Sequence, residues 1–163
     1  MESASFVRPQ FRRPSSHSRC ARAEDQIQPQ SGPGGGGTGS TYQAESAVLA
    51  GGAVVESNHS GFNGTGFVNF PSNGGTLTFN GVDGNGGGTK RLAICYALGA
   101  SGSRTGTITV NGSSSNITFN STGSWNSWTT MNVNITLNNN SSNTIQFAST
   151  GQDLANLDEI TVP

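Results

Sequence analysis

The sequence predicts an all-β sandwich, and three observations carry that expectation. Apolar and polar residues alternate at a period of two in Val68/Phe70, Leu77/Phe79, Leu92/Ile94/Tyr96/Leu98, Ile108/Val110, Ile117/Phe119, Met131/Val133/Ile135/Leu137, Ile145/Phe147 and Ile160/Val162, the pattern of half-buried strands. Turn-forming clusters, Asn73-Gly74-Gly75, Asp83-Gly84-Asn85-Gly86, Asn111-Gly112 and Asn138-Asn139-Asn140, separate these stretches. With 24 Gly and only 10% charged residues, the composition fits neither a helical protein nor a charge-swollen disordered chain. Eight or more strands in this rhythm stack as two antiparallel sheets, a jelly roll or a related sandwich.

The chain divides by composition into a leader (1–30), a Gly-rich linker (31–40) and one β module (41–163). The leader lacks the continuous apolar stretch of a secretory signal, and no run approaches the ~20 apolar residues that span a bilayer. It reads as a disordered leader or a vector-derived segment with no role in the activity. The Ser31–Ser40 stretch reads as a flexible tether, which marks the module as an appendage to another domain. Net charge is −1 overall, +2 before residue 40 and −3 after it, and neither part has the basic stripe that phosphate binding demands. Nucleic acid and membrane are therefore not expected partners.

Two cysteines are too few for a disulfide framework. Cys20 lies in the leader and Cys95 in the apolar stretch Leu92–Leu98, so a bridge would have to pin a tail onto a strand. The expectation is a buried free thiol at Cys95.

Strand phase shows which side chains are left over. Val68 and Phe70 share one face of Gly66-Phe67-Val68-Asn69-Phe70, so Phe67 and Asn69 share the other. That pair is either a binding couple or, for Phe67, part of a second buried layer. Trp125 and Trp128 stand at the entry to the strand Thr129–Leu137, where one can plug the core while the other offers an indole face.

Six motifs then recur in order: Tyr42-x-Ala44-Glu45, Gly66-Phe67-Val68-Asn69-Phe70, Tyr96-Ala97, Arg104 ahead of Val110-Asn111-Gly112, Gly123-Ser124-Trp125-Asn126-Ser127-Trp128, and Asn156-Leu157-Asp158-Glu159-Ile160. Together they resemble the family 35 carbohydrate-binding modules and the related family 6, over about residues 41–163. The resemblance implies a non-catalytic β-jelly roll appended to an enzyme that degrades plant cell-wall polysaccharide. It also implies a structural calcium near the junction of first and last strands, and sugar binding at loops joining the sheets.

By position, the resemblance implies calcium ligands at Gln43, Glu45 and Asp158, with carbonyls completing the six to eight oxygens calcium takes. Gln43 stands where the family often has a second acid. Gln43 and Glu45, two apart on a strand, are expected to point the same way. For the sugar it implies Phe67, Asn69, Arg104, Trp125 and Asn156, where a ring covers the apolar face of a pyranose and polar groups choose its hydroxyls. Many relatives have Tyr where Phe67 stands. Tyr96 is expected in the core.

The leading expectation is a secreted, monomeric module that binds a neutral β-mannan and holds a linked glycoside hydrolase near it. The same site could instead take uronic-acid or galactose-containing glycans. Catalysis is not expected: no pair of carboxylates flanks a cleft at glycosidase spacing, and His59-Ser60 reads as a solvated turn. A structural or adhesive extracellular sandwich is the third class, with Asn58, Asn63, Asn116, Asn120 and Asn134 in glycan-acceptor triplets.

Overall fold

Each of the eight alternating stretches folds into a strand, and three shorter strands precede them. The structure, a computed structural model, describes Cys20 and residues 39–163. In order the strands are β1 (Ser40–Gln43), β2 (Val48–Ala50), β3 (Val54–Glu56), β4 (Phe67–Asn69), β5 (Thr76–Val82), β6 (Gly88–Ala97), β7 (Arg104–Val110), β8 (Ser113–Phe119), β9 (Trp128–Leu137), β10 (Asn143–Ser149) and β11 (Asn156–Val162). A 3-10 turn over Ala44–Ser46 follows β1. One sheet runs β3-β4-β11-β6-β9 with β1 also on β11, and the other runs β2-β5-β10-β7-β8. The expected β-sandwich is the fold.

The two motifs that bracket the module meet. β1 pairs antiparallel with β11, Tyr42 opposite Ile160 and Gln43 opposite Glu159. Between the sheets lie Leu77, Phe79, Leu92, Ile94, Tyr96, Leu98, Ile108, Phe119, Ile145, Phe147, Leu157 and Ile160, the inward halves of the alternating strands. Each fully buried Leu or Phe contributes about 1.5–3 kcal/mol relative to exposure, so this face sets the register. Tyr96 joins that core as expected, donating from its hydroxyl to Asn120 O at 3.2 Å. Burial raises its hydroxyl above the ordinary phenol range, with the bond to Asn120 opposing.

A second buried cluster lies on the opposite face of the first sheet. In β6, Leu92, Ile94 and Tyr96 face the main core, whereas Cys95 and Ala97 join Phe67, Trp128 and Cys20 in a separate group with Phe62 packed against it. The period of two dictates this split. The β3–β4 loop (57–66) supplies Phe62, and Phe67, Trp128 and Phe62 pack edge-on or tilted at centroid distances of 5.4–6.3 Å.

The cysteine expectation is overturned here. Cys20 and Cys95 form a disulfide across 75 residues of sequence, and both are buried within the second cluster. The sequence could not motivate the bridge because nothing in the leader's polarity shows that Cys20 docks against Thr129, its Sγ 3.2 Å from that carbonyl. The leader therefore contributes a covalent anchor to the module. The rest of the expected leader, and the linker apart from Gly39 and Ser40, lie outside the described residues; Ser40 belongs to β1.

A bridge closing so long a loop removes much chain entropy from the unfolded state, typically worth about 2–4 kcal/mol. Cys20→Ser should lower the urea-unfolding free energy by about that amount. An unchanged transition midpoint would mean that the bridge does not constrain the fold.

Candidate functional site

The site grows out of an irregularity in β11. Leu157 and Ile160 both face the main core although they are three apart, and the pairing with β6 shifts register between Leu157 and Glu159. Such a bulge inserts one residue and re-aims the side chains around it. Asp158 and Glu159, adjacent in sequence, are thereby both turned away from the main core, and both are buried.

These two acids meet the end of β1 and the β3–β4 loop. Asn63 N donates to Asp158 Oδ2 at 2.9 Å and Asn63 Nδ2 to Glu159 Oε1 at 3.2 Å. Gln43 Nε2 donates to the other oxygen of Glu159 at 2.6 Å. Glu45 Oε1 accepts from Thr65 N at 2.9 Å and from Thr65 Oγ1 at 3.3 Å. Cys95 Sγ, carrying no hydrogen in the disulfide, lies 3.3 Å from Asp158 Oδ2.

The three side chains expected to hold calcium are thus gathered in one cluster, by a different local geometry from that expected. Gln43 ends β1 and Glu45 sits in the 3-10 turn, not two apart on one strand. The convergence comes through Gly64, whose φ of +73° belongs to the left-handed region. A Cβ there would collide with Oε1 of both Glu45 and Gln43, so only glycine brings the loop this close. Gln43 Oε1 and Glu45 Oε2 are enclosed yet accept no hydrogen bond. Buried oxygen acceptors without a donor are costly, and they are what a hard cation takes. Among the described residues no three His, Cys, Asp or Glu side chains form a metal cage, so a cation here would depend on the amide and main-chain oxygens as well.

At one rim of the sandwich the β6–β7, β8–β9 and β10–β11 turns join the β3–β4 loop. Asn126 Oδ1 accepts from Ser60 N at 2.8 Å, Ser60 O accepts from Trp128 Nε1 at 2.9 Å, and Leu98 O accepts from Thr122 N at 2.8 Å. The two tryptophans divide as expected. Trp128 has no exposed surface, whereas Trp125 is half-buried, packed against the main core. A Cβ on Gly99 would collide with Cγ, Cδ1 and Nε1 of Trp125 alike, which puts that backbone over the five-membered ring and not at its edge. Gly99 therefore floors one face of the indole.

The other expected sugar residues are placed as follows. Phe67 is fully buried in the second cluster; it packs beneath the β3–β4 loop and offers no face, so its place in the expected sugar site is corrected. Asn69 is half-buried at the end of β4, opposite Val54. Arg104 opens β7, where its Nη1 donates to Asp153 O at 2.9 Å and pairs with the Asp153 carboxylate. Asn156 opens β11 opposite Ala97 and is only 3% exposed. Arg104, Trp125 and Asn156 share the rim.

His59 is the residue that the sequence reading set aside. Far from being a solvated turn residue, it is half-buried, its ring near-parallel to Phe67 (26°, 5.7 Å) and to Trp125 (19°, 6.1 Å). No local sequence signal marks it, because Phe67, Trp125 and the partners of Ser60 come from other elements.

A hollow of about 410 Å³ lies elsewhere, between β7–β8 and β9, lined by Ser113–Ser115, Asn134 and Ile135 among others. No aromatic ring lines it, so it offers a sugar no stacking surface.

Residues 76–162 match a family model described as "CBM13-like: Alpha-galactosidase, CBM13 domain". A solved family 35 carbohydrate-binding module from Paenibacillus barcinonensis is 37% identical with a TM-score of 0.72, the match covering 77% of this chain and 98% of that one. The chain belongs to the family 35 carbohydrate-binding modules.

Two larger proteins carry a similar module. An exo-beta-1,3-galactanase from Phanerochaete chrysosporium, solved with galactose, is 35% identical with a TM-score of 0.71, over 77% of this chain and 29% of the galactanase. An exo-beta-D-glucosaminidase from Amycolatopsis orientalis is 41% identical over 123 residues, 74% of this chain and 12% of the enzyme. The chain spans about an eighth of that curated relative's length. This family 35 module is a non-catalytic saccharide-binding domain.

Proposed function

We propose that this module binds a neutral β-linked cell-wall polysaccharide at the rim that carries Trp125, with β-mannan as the leading ligand. The observation that carries the reading is the half-open indole floored by Gly99. A ring backed by the protein on one side leaves its other face for the C–H surface of a pyranose. Asn69, Arg104 and Asn156 are the polar groups proposed to read hydroxyls. Arg104 is matched by Asp153, which favours a neutral sugar over a uronate. A galactose-containing glycan is the second reading, favoured by the likeness to a galactanase solved with galactose.

Calcium is the proposed structural ion, held by Gln43, Glu45 and Asp158 with main-chain oxygens. The enclosed, donor-free Gln43 Oε1 and Glu45 Oε2 support it. When bound, the ion would tie the end of β1 to the β3–β4 loop and β11; Gln43, Asn63 and Thr65 orient the carboxylates around it.

The module acts, on this reading, as a monomer outside the cell, tethered to a glycoside hydrolase. The disulfide supports an oxidising compartment. Affinities of such shallow contacts fall around micromolar to millimolar, about −8 to −4 kcal/mol, which suffices because a tether raises the effective concentration.

In affinity electrophoresis on soluble galactomannan and β-1,3-galactan, the native module should be retarded by at least one. Trp125→Ala should migrate as though no glycan were present while still folding cooperatively, its melting temperature lowered by the packing lost against the core; retained retardation would remove the indole from the site. A chelator should lower the melting temperature of the native module and leave that of Glu45→Gln unmoved. Equal responses of the two proteins would exclude a cation held by Glu45.

A further inference from the structure

We propose that His59 is a second ring of the saccharide platform, touching the bound glycan beside Trp125. The proposal rests on the reading of this rim as the glycan face and extends it to a residue that no motif assigned.

The imidazole and the indole lie within 19° of parallel with centroids 6.1 Å apart. Rings in face contact sit at about 3.5–4 Å, so at that spacing the two rings are offset and each leaves part of its face beyond the other's edge. The imidazole also lies near Phe67, 5.7 Å away and within 26° of parallel. Phe67 is wholly buried, so three near-parallel rings step outward from the second cluster: Phe67, then His59, then Trp125. The role expected of Phe67 passes to the ring that covers it.

The chemistry of His59 is also uncommitted. Neither of its ring nitrogens hydrogen-bonds to another of the described residues, although the ring is half-buried. A neutral imidazole carries one in-plane donor and one in-plane acceptor. It therefore combines a flat apolar face with the two functions that a vicinal diol needs. A polyhydroxylated ring is the ligand class that uses both.

The position is held in advance. The residue after His59 has both its N–H and its carbonyl bonded, to Asn126 Oδ1 and Trp128 Nε1. Gly61, with φ +101°, packs where a Cβ would meet Trp128 at 2.8 Å. The loop backbone is thereby fixed to the segment that carries Trp125, so little ordering entropy is lost on binding.

The test uses the full chain in a His17→Gln background, so that one imidazole is observed, with soluble galactomannan and β-1,3-galactan as probes. His59→Ala should weaken binding to the retained glycan at least fivefold, with the melting temperature little changed. His59→Phe should keep more affinity than His59→Ala, and the imidazole nitrogen resonances of the parent should shift on saturation. If His59→Ala lowers the melting temperature, the comparison of His59→Phe with the parent and the resonance shift decide. Parent-like affinity in His59→Ala with unshifted resonances, while Trp125→Ala fails to bind, would overturn this proposal alone. Parent-like binding by both Ala variants would overturn the rim reading and this proposal with it.

Discussion

The clamp between the β3–β4 loop and the outer face of the first sheet is the constraint on which both candidate sites depend. Ser60 is bonded through N and O to Asn126 and Trp128, and Trp128, Phe67 and the Cys20–Cys95 bridge fill the space beneath. An apolar layer outside a sheet is unusual in a small sandwich, where one face normally meets water. Here it turns the loop into a rigid lid whose far end reaches the acidic cluster through Asn63, Gly64 and Thr65. Its near end sets His59 against Trp125. Removing that layer would leave both the oxygens and the rings without a frame.

Electrostatics give the lid its second anchor. The bulge in β11 turns two consecutive carboxylates to one side, where burial would be costly without hydrogen-bond donors or a cation. Asn63 and Gln43 provide donors from two different elements. The remaining acceptors, Gln43 Oε1 and Glu45 Oε2, are left by a geometry that glycine at position 64 alone permits. The disulfide lies against the same Asp158 carboxylate, so the covalent anchor and the acidic cluster share one wall.

Much of this was legible in the residues. Period-two alternation located β4 to β11 because each has one face in a common core, and the Tyr-Gln-Ala-Glu and Asn-Leu-Asp-Glu-Ile motifs met as their bracketing positions implied. β2 and β3 carry no such signal: they are three-residue edge strands whose Val48, Val54 and Val55 are exposed. Phase alone placed Phe67 opposite Val68 correctly but could not tell an outer buried layer from an open face. That distinction depends on the loop and on Cys20, both remote in sequence. His59 was missed for the same reason, since its neighbours Phe67 and Trp125 come from separate elements. The three-residue spacing of Leu157 and Ile160, both core residues, is the trace of a bulge that period-two counting passed over.

Two tryptophans three residues apart differ in exposure, and the proposed glycan face depends on that difference. Collisional quenching of indole fluorescence by acrylamide, with and without saturating soluble glycan, measures it most directly. Two populations are expected, one quenchable and one protected, with bound glycan shielding the quenchable one. Two equally protected indoles, or an accessible indole whose quenching is unaffected when the glycan is bound, would contradict the proposed glycan face.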